Sequence, residues 1–204
     1  MADEESAAAL HLDGLSRAWD EAWPGVIPVG HEVRIYGRWI RFHCLPDSGL
    51  PESENDYETA IRRQLAVLAA VSEGARPQSF LLFTYEDDFD PGPPCAPVAD
   101  TPVWRAFQAE DDDESPVYRV HASRLAWDEA RLSTLLSWQL RENGWCLVAA
   151  DGLSWLFAPY EGGMDVVVGS AEERDRLQAL FPDWTAPWNH WHPITEWQGP
   201  DLRH

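Results

Sequence analysis

Apolar residues recur at helical spacing in four stretches of the chain. Over 7–22, Leu10, Leu15 and Trp19, continued by Trp23, mark one helical face, and Pro24-Gly25 stops the run. Over 56–73, Tyr57, Ile61, Leu65, Leu68 and Val71 form a stripe. Asn55 reads as its N-cap, Glu58 as the return half of a capping box, and Gly74 as its end. Over 127–142, Leu132, Leu135, Leu136 and Leu140 face inward, and Asn143-Gly144 closes the helix. Over 171–181, Leu177 and Leu180 face inward, Ser170 with Glu173 forms a second capping box, and Pro182 follows the end.

Between these helices the pattern changes to runs of β-branched and aromatic residues. Residues 32–44 read as one kinked strand or a tight hairpin bent at Tyr36-Gly37. SFLLFTY (79–85) reads as a buried strand, and 102–108 and 116–121 as two strands joined by the acidic DDDE run. Asp151-Gly152 predicts a tight hairpin between 145–150 and 153–159, because such turns need φ > 0. Glu161-Gly162-Gly163 turns the chain into a third strand at 164–168. Hairpins mixed with helices predict one α+β domain over 1–204, with a mixed or mainly antiparallel sheet of five to seven strands and about four helices. Three segments stand apart: a frayed start at 1–6, an acidic and Pro-rich loop region at 86–116, and a Trp-rich tail at 182–204 packed on the body.

Composition narrows the chemistry. The 204 residues carry 35 acids and 15 basic residues, a net charge of -20, and every basic residue is arginine. Without lysine, Schiff-base catalysis and a Walker-type phosphate lysine are excluded. The acidity excludes a basic, phosphate-tracking surface for nucleic acid. It is also uneven. Residues 86–114 hold ten acids and one arginine, and residues 1–25 hold six acids and one arginine, so these two stretches carry 14 of the 20 net charges. The body between them is nearly neutral. Cys44, Cys95 and Cys146 are widely spaced and odd in number, which predicts free thiols in a reducing compartment. No signal peptide and no apolar run of spanning length is visible, so the expectation is a cytoplasmic protein without membrane contact.

Three groups of residues carry candidate chemistry. Arg38, Arg41 and His43 surround Trp39, and with Tyr160 and Asp165 they make a candidate anion or ligand pocket, since arginine forks grip anionic groups. The competing reading has these arginines pair with the chain's own carboxylates and hold loops down. Asp87, Asp88, Asp111, Asp112 and Asp113 are candidates for docking a basic protein partner, with a solvated loop as the competing reading. His190 and His192 share a face if extended and form a weak metal candidate; the competing reading is two polar residues among packed tryptophans. No nucleophile elbow, dinucleotide fingerprint or P-loop is present, and no cofactor is expected. His43 and Cys44 are adjacent, so on a strand they point to opposite faces and make a poor catalytic pair.

Two blocks carry a resemblance. One is Trp39-Ile40-Arg41-Phe42-His43-Cys44-Leu45-Pro46-Asp47-Ser48, followed by Tyr57 and Arg62-Arg63. The other is Trp155 to Val166, containing Pro159-Tyr160-Glu161-Gly162-Gly163-Met164-Asp165-Val166, followed by a short helix and Trp184. They resemble an uncharacterised family of small bacterial proteins with W-x-R-F-H-x-L-P-x-S and P-Y-(D/E)-G-G-x-D-V blocks. Gly49-Leu50 stands where that pattern has a basic-aromatic stretch. The resemblance implies no established activity. Some similar small acidic proteins act as immunity proteins beside bacterial toxins, an analogy only. The clustered acids and the absence of a catalytic motif make the expectation for function a non-enzymatic protein-binding module, an immunity-type inhibitor of a basic toxin. The alternatives are an enzyme or small-anion binder with an Arg/His pocket, and a metal-binding protein.

Overall fold

A computed structural model describes residues 12–30, 32–34, 37–46, 49–72, 77–86, 88, 101–108, 117–142 and 144–185. Among the described residues four α-helices and seven strands follow one another as α1 (Leu12–Ala22), β1 (Trp39–His43), α2 (Glu54–Val71), β2 (Ser79–Glu86), β3 (Val103–Gln108), β4 (Val117–Ala126), α3 (Glu129–Glu142), β5 (Cys146–Ala150), β6 (Leu156–Tyr160), β7 (Gly163–Val167) and α4 (Ala171–Leu180), with a short 3-10 turn at Pro182–Trp184 after them. The strands form one sheet in the order β1-β7-β6-β5-β2-β4-β3, and every pairing is antiparallel. The fold is α+β, with the predicted β5-β6-β7 meander inside it.

Both faces of the sheet are covered. Because successive strand residues point to opposite sides, Phe80 and Leu82 enter one core while Leu81 and Phe83 enter the other. The first core packs α2, α3 and α4 on the sheet through Leu68, Leu135 and Leu177. The second packs Leu15, Trp19 and Trp23 against Phe83, Leu147 and Leu156. Trp19 meets Phe83 and Trp104 edge-on, with ring centroids at 5.2 and 5.9 Å, and its indole N–H donates to Val26 O at 2.8 Å.

Several sequence expectations change. The first helix is described from Leu12, and residues 7–11 of the expected span lie outside the described residues. The strand expected over 32–44 is confined to Trp39–His43, after a turn in which Gly37 adopts φ +77°. The cap of α2 is Ser53, not Asn55. Its hydroxyl accepts from the Asp56 N–H, and the Asp56 carboxylate accepts from the Ser53 N–H in return. Aspartate there does the work assigned to Glu58 by spacing. The buried stripe of α2 is Ala60, Gln64, Val67, Leu68 and Val71, rotated from the predicted one, so Tyr57, Ile61 and Leu65 are only partly buried. The third helix starts at Glu129, two residues later than expected. In α4 Leu177 is buried and Leu180 is 53% exposed.

Asp151-Gly152 does not make a two-residue turn. Five residues connect β5 to β6, and the residue with positive φ is Leu153, at 57°. That conformation costs about 1–2 kcal/mol for a non-glycine residue. The longer connection buries Leu153 in one core and Trp155 in the other. Each such burial contributes about 1.5–3 kcal/mol, which outweighs the strain.

Candidate functional site

Asp165 stands inside the apolar run of β7 and is 1% exposed. A buried carboxylate needs compensation. It receives it from two arginines. Arg41 faces Asp165 directly in the β1–β7 register and grips it with both ends of its fork, Nε to Oδ1 at 2.8 Å and Nη2 to Oδ2 at 3.0 Å. Arg34, from the segment before β1, donates Nε to Oδ2 at 3.0 Å. Both guanidiniums lie over the Trp39 ring, Arg41 at 5.3 Å and Arg34 at 5.9 Å, and Arg41 also lies 5.3 Å from the Tyr160 ring centroid. Asp165 thus accepts three charge-assisted hydrogen bonds from the two arginines.

Sequence and backbone explain this convergence. Trp39, Arg41 and His43 alternate with the buried Ile40 and Phe42, so all three project from the opposite face of β1. Tyr160 and Ala158 project from β6 on that same side, next to Gly163 and Asp165 in register. Gly163 makes room: a Cβ there would stand 2.3 Å from Phe42 O and 2.8 Å from the Tyr160 hydroxyl oxygen.

Electrostatics follow the packing. Burial alone would lower the Arg41 pKa, but the Asp165 hydrogen bonds and charge raise it above its ordinary value, so the guanidinium is a fixed cation. Burial, then the Asp165 carboxylate, push the Tyr160 hydroxyl well above its usual range and keep it neutral. Burial, then the charges of Arg41 and Arg63, lower the His43 pKa, so its ring is held neutral at pH 7. Cys44 turns to the other face, where burial outweighs the Gln64 hydrogen bond and pushes its thiol up to about 12. It is no thiolate nucleophile. Cys44 and Cys146 are both buried; Cys95 lies outside the described residues.

A cavity of about 190 Å³ opens beside this cluster, lined by Arg34, Asp165, Tyr160, Tyr85, Trp145 and Gln139 among others. Tyr85 and Trp145 stack at 5.7 Å, and the Tyr85 hydroxyl accepts from Gly30 N–H at 3.0 Å. A larger groove of about 700 Å³ runs between α2 and α3. Its lining is mainly apolar, with Ile61, Leu65 and Trp127, and no buried charge converges on it.

Of the five expected pocket residues, Arg41, Asp165 and Tyr160 meet in one place. His43 lies two positions along the same face of β1. Arg38 does not join them; its guanidinium lies over the Trp23 ring at 4.9 Å, because residue 38 precedes the strand and turns toward α1. Spacing missed Arg34. The signal that points to it is Asp165: a lone acid in an apolar strand needs cations, and this chain offers only arginine. Of the acidic docking candidates, Asp88 is described, exposed and ion-paired with Arg119 of β4; Asp87, Asp111, Asp112 and Asp113 lie outside the described residues. His190 and His192 lie outside them as well. Among the described residues no group of three or more His, Cys, Asp or Glu side chains could hold a metal ion, and no helix is long and apolar enough to cross a membrane.

The chain belongs to the family described as Domain of unknown function (DUF3885), whose model matches residues 30–189. The match begins at Gly30, takes in Arg34, Arg41, Tyr160 and Asp165, and leaves out α1. No curated protein and no solved structure matches the chain.

Proposed function

We propose that this protein binds a small carboxylate or similar anion in the cavity beside Arg34 and Asp165. One observation carries the reading: Arg34 stands at the wall of the cavity, held to the buried Asp165 through its Nε alone. Arg34 Nε is bound to Asp165, and its Nη groups have no hydrogen-bond partner among the described residues. Its side chain is 41% exposed, so an entering anion can reach it. Arg41, clamped at both ends of its fork, fixes Asp165, which in turn aims Arg34.

The test is titration of propanoate, butanoate and pentanoate followed by ligand-observed NMR. Saturable binding is expected, weakened about tenfold or more in Arg34→Ala, the usual scale for losing one charge-assisted hydrogen bond. Absence of saturation, or equal binding by the variant, would overturn the reading.

Docking of a basic protein is a second reading, supported by the ten acids of residues 86–114. Five of them, Glu110 to Glu114, fall in the sequence between β3 and β4. An immunity role is its sharpest form. It fails if the chain neither binds nor neutralises a basic toxin encoded beside it.

A further inference from the structure

Three aromatic side chains line the cavity together with Arg34, and the strand register explains two of them. Thr84 pairs with Cys146 across β2 and β5, so one step further Tyr85 stands opposite Trp145 and the two side chains share a face. Their rings stack at 5.7 Å with 26° between the planes. Tyr85 is held in place, since Tyr118 meets it edge-on at 6.3 Å and its hydroxyl accepts the Gly30 N–H at 3.0 Å. Trp145 therefore rests on a fixed ring. It is itself only partly buried, so indole surface stays open. Tyr160, also partly buried, lines the same cavity from β6 beside Ala158 and Pro159.

The acceptors at this wall are engaged or out of reach. Asp165 already takes three hydrogen bonds from the arginines, and the Tyr85 hydroxyl takes one from Gly30. The Gln139 carbonyl oxygen is fully buried. Arg34 keeps its Nη groups for a ligand. A second polar group on that ligand would give up its bonds to water for little in return. The wall thus suits a molecule with one anionic end and an apolar body.

Size and shape define the body. The cavity measures about 190 Å³. A cavity of about 150 Å³ accepts benzene, and one water occupies about 30 Å³. One six-membered aromatic ring therefore fits, and the roughly 40 Å³ left over takes a carboxylate. A flat ring can stack on the open indole, and aromatic pairs gain more than their buried area alone provides.

We infer that the cavity takes a single-ring aromatic carboxylate, with its carboxylate on Arg34 and its ring stacked on Trp145. This inference rests on the carboxylate-binding reading above and adds the body of the ligand.

Benzoate and cyclohexanecarboxylate test it. They match in carbon count and charge, and only benzoate is flat and aromatic. Pentanoate, from the titration above, is the open-chain reference. In ligand-observed NMR benzoate should bind roughly three- to tenfold tighter than cyclohexanecarboxylate, the range an aromatic pair adds beyond its area. Its ring protons should also move upfield on binding, because they lie over the indole face. Trp145→Leu should erase both the preference and the upfield shift, and Trp145→Phe, which keeps a ring, should retain both. A cooperative melt identifies each variant as folded, and the wild-type comparison stands whether or not the variants fold. If pentanoate binds through Arg34 but benzoate gains nothing over cyclohexanecarboxylate, or the preference survives Trp145→Leu, the aromatic inference falls and the carboxylate reading stands. If none of the three acids saturates, or Arg34→Ala binds benzoate equally well, both fall.

Discussion

Asp165 illustrates how one residue couples stability to chemistry. It is the buried member of an ion cluster whose arginines keep contact with water, Arg41 at 22% and Arg34 at 41% side-chain exposure. Removing one member of a fully buried pair costs about 3–5 kcal/mol. Water at the two arginines reduces that figure, so Asp165→Ala is expected to lose about 2–3 kcal/mol in urea unfolding. Arg34→Ala removes the more exposed member and is expected to lose about 1 kcal/mol or less, as partly exposed pairs do. Equal losses for the two variants would show that Asp165 is not the centre of the cluster. Part of this was readable beforehand: Arg41, Tyr160 and Asp165 were marked by residue type and alternation. Arg34 was not, because it lies across a turn from β1, and only tertiary packing returns it to Asp165.

At the scale of elements, the helices were legible in position and less so in their ends. Four apolar stripes gave four helices. Capping followed local hydrogen bonding rather than the preferred motif. Ser53 and Asp56 close the α2 box, and Arg141 of α3 ties Glu54 at the same end with bonds of 2.9 and 2.5 Å. Ser53→Ala is therefore expected to lower stability by about 1 kcal/mol, while Asn55→Ala, at the position spacing favoured, stays within a few tenths. The reverse order in thermal unfolding would restore Asn55 as the cap. The β5–β6 connection departs for a different reason. Asp151-Gly152 is a local turn signal, but burying Leu153 and Trp155 on opposite faces is a non-local gain, and it prevails.

For the whole molecule, the two-faced sheet has a direct consequence. The family match starts at residue 30, yet Leu15, Trp19 and Trp23 cover Phe83, Leu147 and Leu156 on the second face. Truncating one buried tryptophan to alanine costs about 3–5 kcal/mol. Losing two, with Leu15, consumes most of the roughly 5–15 kcal/mol of a typical domain. A fragment starting at residue 30 is thus expected to lack near-UV circular dichroism and a cooperative melt. A fragment that retains both would show the second face to be dispensable.

What the sequence by itself determined was the local and periodic content: the helices, the strand runs, the α+β class, the uneven charge and the arginine-only cation supply. These follow from side-chain spacing along a helix or strand and from composition, which need no knowledge of distant residues. Only the tertiary structure decided the strand order, the true caps, the Leu153 turn and the place of Arg34 beside Asp165. Each depends on groups far apart in the chain, where burial and charge compensation across the fold outweigh what neighbours along the sequence prefer.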